Sequence, residues 1–229
     1  GTVWDQAQLR MQAVVGTANA DTIYGFDGAD AISGGAGNDT LLGQNGDDTL
    51  DGGADNDTLH GEAGADRLIG GAGSDGLNGG EGADTYEGGV GSDSLNDYSS
   101  VSSDTYRYNL GDGADVVNDY GGADTVQLGG GITAATTSVR RDGNGYLVLR
   151  FSDGGSLTLY SQYNGSTGAA QTTYQIEQVV FEDGTVWDQA QLRMQAVVGT
   201  ANADTIYGFD GADAISGGAG NDTLLGQNG

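Results

Sequence analysis

A nine-residue pattern of polar and apolar positions runs without interruption through residues 16–96. Counted from Gly16, position 1 of every unit is Gly, position 6 is Asp, and position 8 is apolar or aromatic. The position-8 residues are Ile23, Ile32, Leu41, Leu50, Leu59, Leu68, Leu77, Tyr86 and Leu95. Three columns that hold over nine units indicate a repeat architecture and not a bias of composition.

Each unit predicts one turn followed by one short strand. Glycine at positions 1, 2 and 4 allows left-handed backbone angles that a Cβ atom disfavours. Positions 7 to 9 suffice for a short strand with a single inward side chain, because strand side chains alternate between faces. The position-8 residues are therefore the predicted core.

The aspartate column supplies the candidate chemistry. Calcium takes roughly six to eight oxygen ligands and accepts carboxylates together with backbone carbonyls. Each unit offers both, since its glycines allow carbonyls to turn toward an ion. The candidate carboxylates of the regular units are Asp21, Asp30, Asp39, Asp48, Asp57, Asp66, Asp75, Asp84 and Asp93. The candidate backbone carbonyl ligands belong to Gly25, Gly28, Gly34, Gly37, Gly43, Gly46, Gly52, Gly61, Gly64, Gly70, Gly73, Gly79 and Gly82.

This Gly-Gly-x-Gly-x-Asp-x-U-x pattern, in which U is a large apolar residue, resembles the RTX or haemolysin-type calcium-binding repeat family. The resemblance implies an all-β, right-handed parallel β-roll in which two units form one coil and an ion lies between stacked loops. One row would join Asp21, Asp39, Asp57, Asp75 and Asp93, and the other Asp30, Asp48, Asp66 and Asp84. Four gaps in the first row and three in the second imply about seven calcium ions or more.

After residue 96 the strict period breaks and returns more loosely. Asp104, Asp115 and Asp124 keep the Asp-x-apolar signature, with spacings of 11, 11 and 9 residues from Asp93 onward. One or two wider coils are therefore predicted over residues 97–128, with Asp115 and Asp124 as further metal candidates.

From residue 129 the sequence changes to non-repeating β-structure. Asp-Gly turn signals separate strand-like runs. The runs cover residues 138–141, 146–151, 156–160 and 174–181. The ending from Phe181 to Trp187 resembles the haemolysin-type calcium-binding-related segment that follows β-rolls in this family. Residues 129–187 are predicted to be a β-rich cap on the open end of the roll.

Residues 1–46 recur letter for letter as residues 184–229. The chain therefore holds one whole 183-residue module and the start of the next; an engineered duplication is the alternative. On this division, residues 1–15 are the tail of a preceding module with a short helix, 16–128 the roll, 188–198 a linker helix, and 199–229 the start of the next roll. The repeated segment adds Asp204, Asp213 and Asp222 as metal candidates.

The charge pattern favours cations as partners. The formal net charge is -26, from 33 acidic residues against 7 basic ones. Nucleic acid and anionic membrane surfaces are poor partners, since both need a basic face. The aspartates fall in phase with the glycines and not in blocks, which argues against a solvated acidic tail. Cysteine is absent, so no disulfide can stabilise the fold, and bound calcium is the evident stabilising element.

The narrow core and the file of repelling carboxylates predict a roll that is largely unfolded without calcium and folded with it. No apolar run of about 20 residues predicts a membrane span. No signal peptide is visible, and the chain is expected to be an excerpt of a longer protein.

We interpret the sequence first as a non-enzymatic structural module of a large secreted bacterial protein. The 183-residue duplication favours identical modules joined head to tail into a fibre, adhesin stalk or matrix component, and the resemblance implies type I secretion and folding in extracellular calcium. Two alternatives remain open. One is the calcium-folding and secretion module of an exported enzyme or toxin, and the other is an adhesin domain that binds a ligand.

Overall fold

The computed structural model describes residues 14–160, 162 and 175–227. Within them, 19 strands accompany one 3-10 helix, Ala134–Thr136, and one α-helix, α1, at Gln189–Ala196. The predicted N-terminal helix lies outside the described residues, as does most of the polar loop that precedes residue 175. The all-β prediction is confirmed.

Successive nonapeptide units contribute strands alternately to two parallel sheets. The first sheet begins with β1 (Thr22–Tyr24), β3 (Thr40–Asn45), β5 (Thr58–Ala63), β7 (Gly76–Glu81), β9 (Ser94–Asp97) and β11 (Ala114–Asp119). The second contains β2 (Ala31–Ala36), β4 (Thr49–Ala54), β6 (Arg67–Gly73), β8 (Thr85–Gly91), β10 (Thr105–Tyr108) and β12 (Asp124–Leu128). Two units therefore make one coil of a parallel β-solenoid, as predicted.

The register stacks identical positions of the repeat on one another. Leu41 pairs with Leu59, and Leu59 pairs with Leu77, so each residue lies beside its equivalent in the next coil. Position-8 side chains from Ile32 to Leu95 are exposed by 2% or less. The column predicted to be the core therefore fills the space between the two sheets.

The strands are longer than the predicted short strand of each unit. Most regular strands continue from position 7 into the start of the next unit, as β3 does from Thr40 to Asn45. Inward positions alternate, so β3 buries Leu41 and then Gly43, the position-1 glycine of the following unit. Position 1 is thus a second inward-facing position of the repeat.

The glycine at position 1 is required for space and not for left-handed backbone, which corrects the sequence expectation. A methyl group on Gly52 would lie only 2.5 Å from Asp57 Oδ2 and 2.7 Å from the carbonyl oxygen of Gly70. Positive φ angles occur instead at positions 2 and 4, where even Gln44 (φ 81) and Asp55 (φ 74) adopt them. These two residues accept a conformation that costs L-residues about 1 to 2 kcal/mol.

The wider coils of residues 97–128 continue both sheets. Tyr106 of β10 pairs in register with Tyr86 on one side and with Val126 on the other. The rings of Tyr86 and Tyr106 stack inside the solenoid with centroids 4.8 Å apart. Val117 of β11 pairs with Leu95, although the chain between them is longer than in a regular coil. The longer connections lie outside the strands, so the core column is preserved.

The residues predicted to cap the roll add strands directly to its two sheets. They form β13 (Ser138–Arg141), β14 (Leu147–Arg150), β15 (Ser156–Leu159), β16 (Ile176–Phe181) and β17 (Val186–Asp188). β15 pairs parallel with β11, and β16 pairs parallel with β12. Antiparallel strands then end each sheet, β14 and β13 on one and β17 on the other.

Helix α1 follows β17 at once. Its N-cap, Asp188, accepts a hydrogen bond from the Gln191 N–H at 2.9 Å. Leu192 and Ala196 are fully buried, and the helix packs against β13, β16 and β17. The chain then begins a second roll with β18 (Thr205–Tyr207) and β19 (Thr223–Leu225), which pair parallel in the same register as β1 and β3.

The interior column predicts the cost of removing one of its side chains. Leu59→Ala opens a cavity in a fully buried position, so we expect a loss of about 2 to 5 kcal/mol. Leu42→Ala is the matched control, because Leu42 is half-buried at position 9 and should lose under about 1.5 kcal/mol. Urea unfolding in saturating calcium measures both, and equal losses would contradict this assignment of the core.

Candidate metal centres

Two continuous rows of position-6 aspartates run along the solenoid. In each row, Oδ1 of one aspartate accepts a hydrogen bond from the backbone N–H of the aspartate one coil earlier, at 2.7 to 3.0 Å. The first row is Asp21, Asp39, Asp57, Asp75, Asp93 and Asp115. The second is Asp30, Asp48, Asp66, Asp84, Asp104 and Asp124. The Asp124 N–H donates in turn to Glu177 Oε2 at 2.6 Å.

In nine of the twelve aspartates of these rows, the other carboxylate oxygen, Oδ2, is buried without a hydrogen-bond partner. These Oδ2 atoms belong to Asp39, Asp48, Asp57, Asp66, Asp75, Asp84, Asp93, Asp104 and Asp124. All nine residues are exposed by 3% or less. Buried polar atoms in proteins are rarely left unpaired, so a repeated set of them indicates a missing ligand.

The surroundings of these oxygens fit calcium. In the regular units from residue 34 to residue 96, Oδ2 lies beside the position-1 glycine of its own unit, as Asp57 does beside Gly52. The carbonyl oxygen of the next position-1 glycine in the row, Gly70, approaches the same small space. Carboxylate and carbonyl oxygens are the ligands that a hard cation prefers. Calcium held by these two groups would neutralise the unpaired carboxylates.

The position-1 and position-4 glycines are placed differently. The position-1 candidates adjoin the carboxylates, which is the arrangement expected for carbonyl ligands. The candidates at position 4 contact the loop of the preceding coil, as Gly46 contacts Gly28 and Gly64 contacts Gly46. The described contacts do not bring the position-4 glycines to the carboxylates, so their role as ligands stays a prediction.

The first coil and the start of the second roll use their carboxylates in another way. Oδ2 of Asp21 and of Asp30 accepts the N–H at position 2 of its own unit, from Thr17 at 2.7 Å and Phe26 at 2.6 Å. Asp204 and Asp213 repeat this arrangement with Thr200 and Phe209. Asp222 Oδ1 accepts the Asp204 N–H at 3.0 Å. At Asp21, Asp30, Asp204 and Asp213, calcium would share an oxygen that already accepts a hydrogen bond.

Burial disfavours the ionised form of several inner carboxylates and so raises their pKa. Burial first, and neighbouring aspartates of the same row second, raise the pKa of Asp57 and Asp66 to about 6 and that of Asp84 to about 7. The backbone N–H bonds oppose this effect in part. Asp115 reaches a pKa of about 8, again chiefly through burial. A bound cation would relieve both the desolvation and the repulsion.

A cluster of carboxylates that sequence reasoning missed lies where the regular repeat ends. Asp97, Asp104 and Asp119 are buried, and each offers a carboxylate oxygen within 4.8 Å of the others. Asp104 was recognised only as part of a wider coil, because two extra residues precede it. Extending the nonapeptide register beyond residue 96 would have placed Asp97 at the inward-facing position 1.

Comparison with known proteins agrees with this geometry. Residues 13–41, 42–77, 60–95 and 196–224 match the RTX calcium-binding nonapeptide repeat. Residues 147–191 match the haemolysin-type calcium binding protein related domain. The chain belongs to the RTX calcium-binding repeat family. Both resemblances drawn from the sequence are confirmed, and this RTX chain is a calcium-binding repeat module.

A longer relative contains a similar segment. The RTX chain is 38% identical over 121 residues to the iron-regulated protein FrpA of Neisseria meningitidis serogroup C. That match covers 51% of this chain and 10% of FrpA, so the chain corresponds to a small part of that protein. None of the helices among the described residues has the length and apolar character that a bilayer crossing requires.

Removing one inner carboxylate should weaken calcium binding. Asp57→Asn keeps an Oδ1 acceptor for the Asp39 N–H but removes the charge at the unpaired oxygen. We expect the calcium midpoint of folding to rise by roughly tenfold, since affinity depends on the number of charged ligands. Asp51→Asn is the control, because Asp51 is exposed at position 9. Calcium titration followed by circular dichroism measures both, and equal midpoints would contradict the assignment.

The raised pKa values also predict how acid affects the calcium-free protein. The pKa is about 6 for Asp57, about 7 for Asp84 and about 8 for Asp115 in the folded protein, against an ordinary value of 3.8, so the folded state binds more protons between these limits. Their contribution to stability is fully present below about pH 4 and is lost as the pH rises through 6 to 8. Circular dichroism in chelator should show β-structure increasing from pH 8 to pH 5, whereas a decrease would contradict this electrostatic account.

Proposed function

We propose that this RTX chain is a structural segment of a large secreted bacterial protein, whose calcium-dependent modules join head to tail. The resulting array would serve as a fibre, an adhesin stalk or a matrix component. The observation that carries the proposal is the packing of the second roll against the end of the first module.

Arginines from the end of the first module contact the second roll. Arg141 is 1% exposed, and its Nη1 donates to the carbonyl oxygen of Gly208. Arg140 donates to the Val198 carbonyl at 2.6 Å and pairs with Asp204 at 3.4 Å. Buried charged contacts of this kind fix an orientation more effectively than a flexible linker would.

Aromatic packing reinforces the same junction. The guanidinium groups of Arg141 and Arg193 lie 5.5 and 4.6 Å from the centroid of the Phe209 ring. Phe209 is fully buried, and Ile206 beside it is also fully buried. Cation–π contacts add to the apolar burial at such a site.

The exact sequence repeat allows the start of the first roll to be compared with the start of the second. Phe26 has the same sequence neighbours as Phe209, yet it is only partly buried. Tyr24 is 58% exposed, whereas its counterpart Tyr207 is half-buried beside Gly143 of the first module. The same residues are thus more buried in the copy that contacts the first module, which supports the head-to-tail arrangement.

Calcium supplies the condition for folding in this proposal. The chain would cross a type I secretion channel unfolded and fold outside the cell, where the unpaired carboxylates acquire calcium. Affinities of about 10⁻⁴ to 10⁻³ M suit extracellular modules. The proposed role is mechanical and not catalytic, and a single folding module of an exported enzyme would not need a docking surface at both ends.

A chain of three complete modules tests the proposal directly. Small-angle X-ray scattering in millimolar calcium should give a rod whose length increases by a constant amount with each module. Circular dichroism of the same chain in chelator should show loss of strand structure. Compact particles of independent modules, or a strand spectrum that survives chelation, would contradict the head-to-tail or the calcium-dependent part respectively.

The docking contacts predict a sharper outcome for a single variant. Arg141→Ala should expose the start of the second roll, so that amide exchange over residues 199–227 accelerates by at least about tenfold, a loss of about 1.4 kcal/mol of local stability. Arg107→Ala is the control, because Arg107 is exposed on β10 and does not line the cleft between the first module and the second roll. Hydrogen exchange in saturating calcium measures both variants, and unchanged protection in Arg141→Ala would argue against a fixed junction.

A further inference from the structure

Four buried aspartates lie together at the end of the regular repeat. Asp97, Asp104, Asp119 and Asp124 are exposed by 2% or less. Asp104 and Asp124 continue the second row of position-6 aspartates. Asp97 and Asp119 belong to neither row, and their position needs a separate explanation.

Asp97 and Asp119 occupy position 1, where all nine regular units carry glycine. Asp97 comes one unit after Gly88, and Asp119 precedes Asp124 by the same interval at which each position-1 glycine precedes its own aspartate. They are register partners on β9 and β11, and both are inward-facing. Two successive coils thus place a carboxylate where the regular coils have no side chain.

Hydrogen bonds hold these two carboxylates in place. Asp97 accepts the Ser99 N–H at 3.2 Å through Oδ1 and the Ser102 hydroxyl at 3.4 Å through Oδ2. Asp119 accepts the Gly121 N–H at 2.7 Å through Oδ1 and the Tyr106 hydroxyl at 2.7 Å through Oδ2. The side chains are therefore positioned before any ion arrives.

An independent observation indicates that the cluster lacks a ligand. Oδ1 of Asp104 accepts a hydrogen bond from the Asp84 N–H, while its Oδ2 is buried with no hydrogen-bond partner. Likewise, Oδ1 of Asp124 accepts a hydrogen bond from the Asp104 N–H, and its Oδ2 is buried with no partner. Neither ion pair found among the described residues includes an aspartate of the cluster. Four buried carboxylates without a basic partner require either shared protons or a cation.

The spacing fits a cation. Ligand oxygens of Asp97, Asp104 and Asp119 lie within 4.8 Å of one another. Two oxygens that bind one calcium at about 2.3 to 2.6 Å can be separated by at most about 4.6 to 5.2 Å. The three carboxylates can therefore share one ion without movement of the strands.

We propose that Asp97, Asp104 and Asp119, assisted by Asp124, form a calcium site of a second kind, in which side-chain carboxylates replace the glycine carbonyls of the regular coils. Its higher negative charge makes it the tightest site of the module, since calcium affinity rises with the number of charged ligands. The inference extends the proposed calcium-dependent role. It also implies that calcium first orders the junction between the regular coils and the strands that follow residue 128.

Calcium binding to the whole 229-residue chain tests the site. Equilibrium dialysis with Ca²⁺ should show one ion bound at a free concentration roughly tenfold lower than the rest. The double variant Asp97→Asn with Asp119→Asn should lose that ion and keep the others. The control Asp48→Asn, in a regular coil, should keep the tight ion and lose affinity elsewhere.

Terbium luminescence reports whether the first ion binds in the aspartate cluster. Tyr106 donates to Asp119, so Tb³⁺ in the cluster lies close enough to the phenol for sensitised emission. Emission at the first equivalent of Tb³⁺ should fall in the double variant and remain in Asp48→Asn. If the double variant fails to fold in millimolar calcium, Asp97→Gly restores the residue of the regular units and should lose the tight ion by itself.

The possible results separate the proposed site from the proposed function. A double variant, or Asp97→Gly, that retains the tight ion overturns the proposed site. A wild-type chain whose ions all bind in one weaker class also overturns it, while calcium-dependent folding would leave the proposed function intact. Absence of any calcium binding would overturn both.

Discussion

The structure depends on one hydrogen bond repeated along two rows, from the backbone N–H of one aspartate to Oδ1 of the aspartate one coil later. This bond joins successive coils in addition to the strand pairing of the two sheets, and it satisfies only one of the two carboxylate oxygens. Oδ2 stays unpaired in nine aspartates. A purely protein interior does not tolerate such a series, so the fold is complete only with a cation at each level.

The same constraint explains the glycine columns. At position 1 a side chain would enter the space that the unpaired oxygen and a carbonyl share, as at Gly52. Asp97 and Asp119 are the informative exceptions, because they put a further carboxylate into that space. Oxygen ligands are thus presented to an ion in two ways, and the change occurs in the wider coils, residues 97–128, that follow the regular repeat.

Much of this could be predicted from local pattern. Position 8 identified the core, and position 6 identified both rows, since each column depends only on the nine-residue period. The hydrogen bond that uses Oδ1 could not be predicted, because it joins aspartates of successive coils through backbone geometry. Pairing of β12 with β16, at Val126 and Val179, joins distant parts of the sequence and has no local signal either, so the predicted cap proved to extend both sheets. Two extra residues before Asp104 concealed the aspartate cluster.

Amide hydrogen exchange at the position-6 aspartates tests the central claim most directly, because these N–H groups donate to Oδ1. At neutral pH in saturating calcium, the amides of Asp39, Asp57 and Asp75 should exchange slowly, at rates similar to those of amides in the buried strands. In chelator, the same amides should exchange at rates close to those of an unfolded chain. Equal protection with and without calcium would show that the carboxylate rows are stable by themselves and would contradict the account.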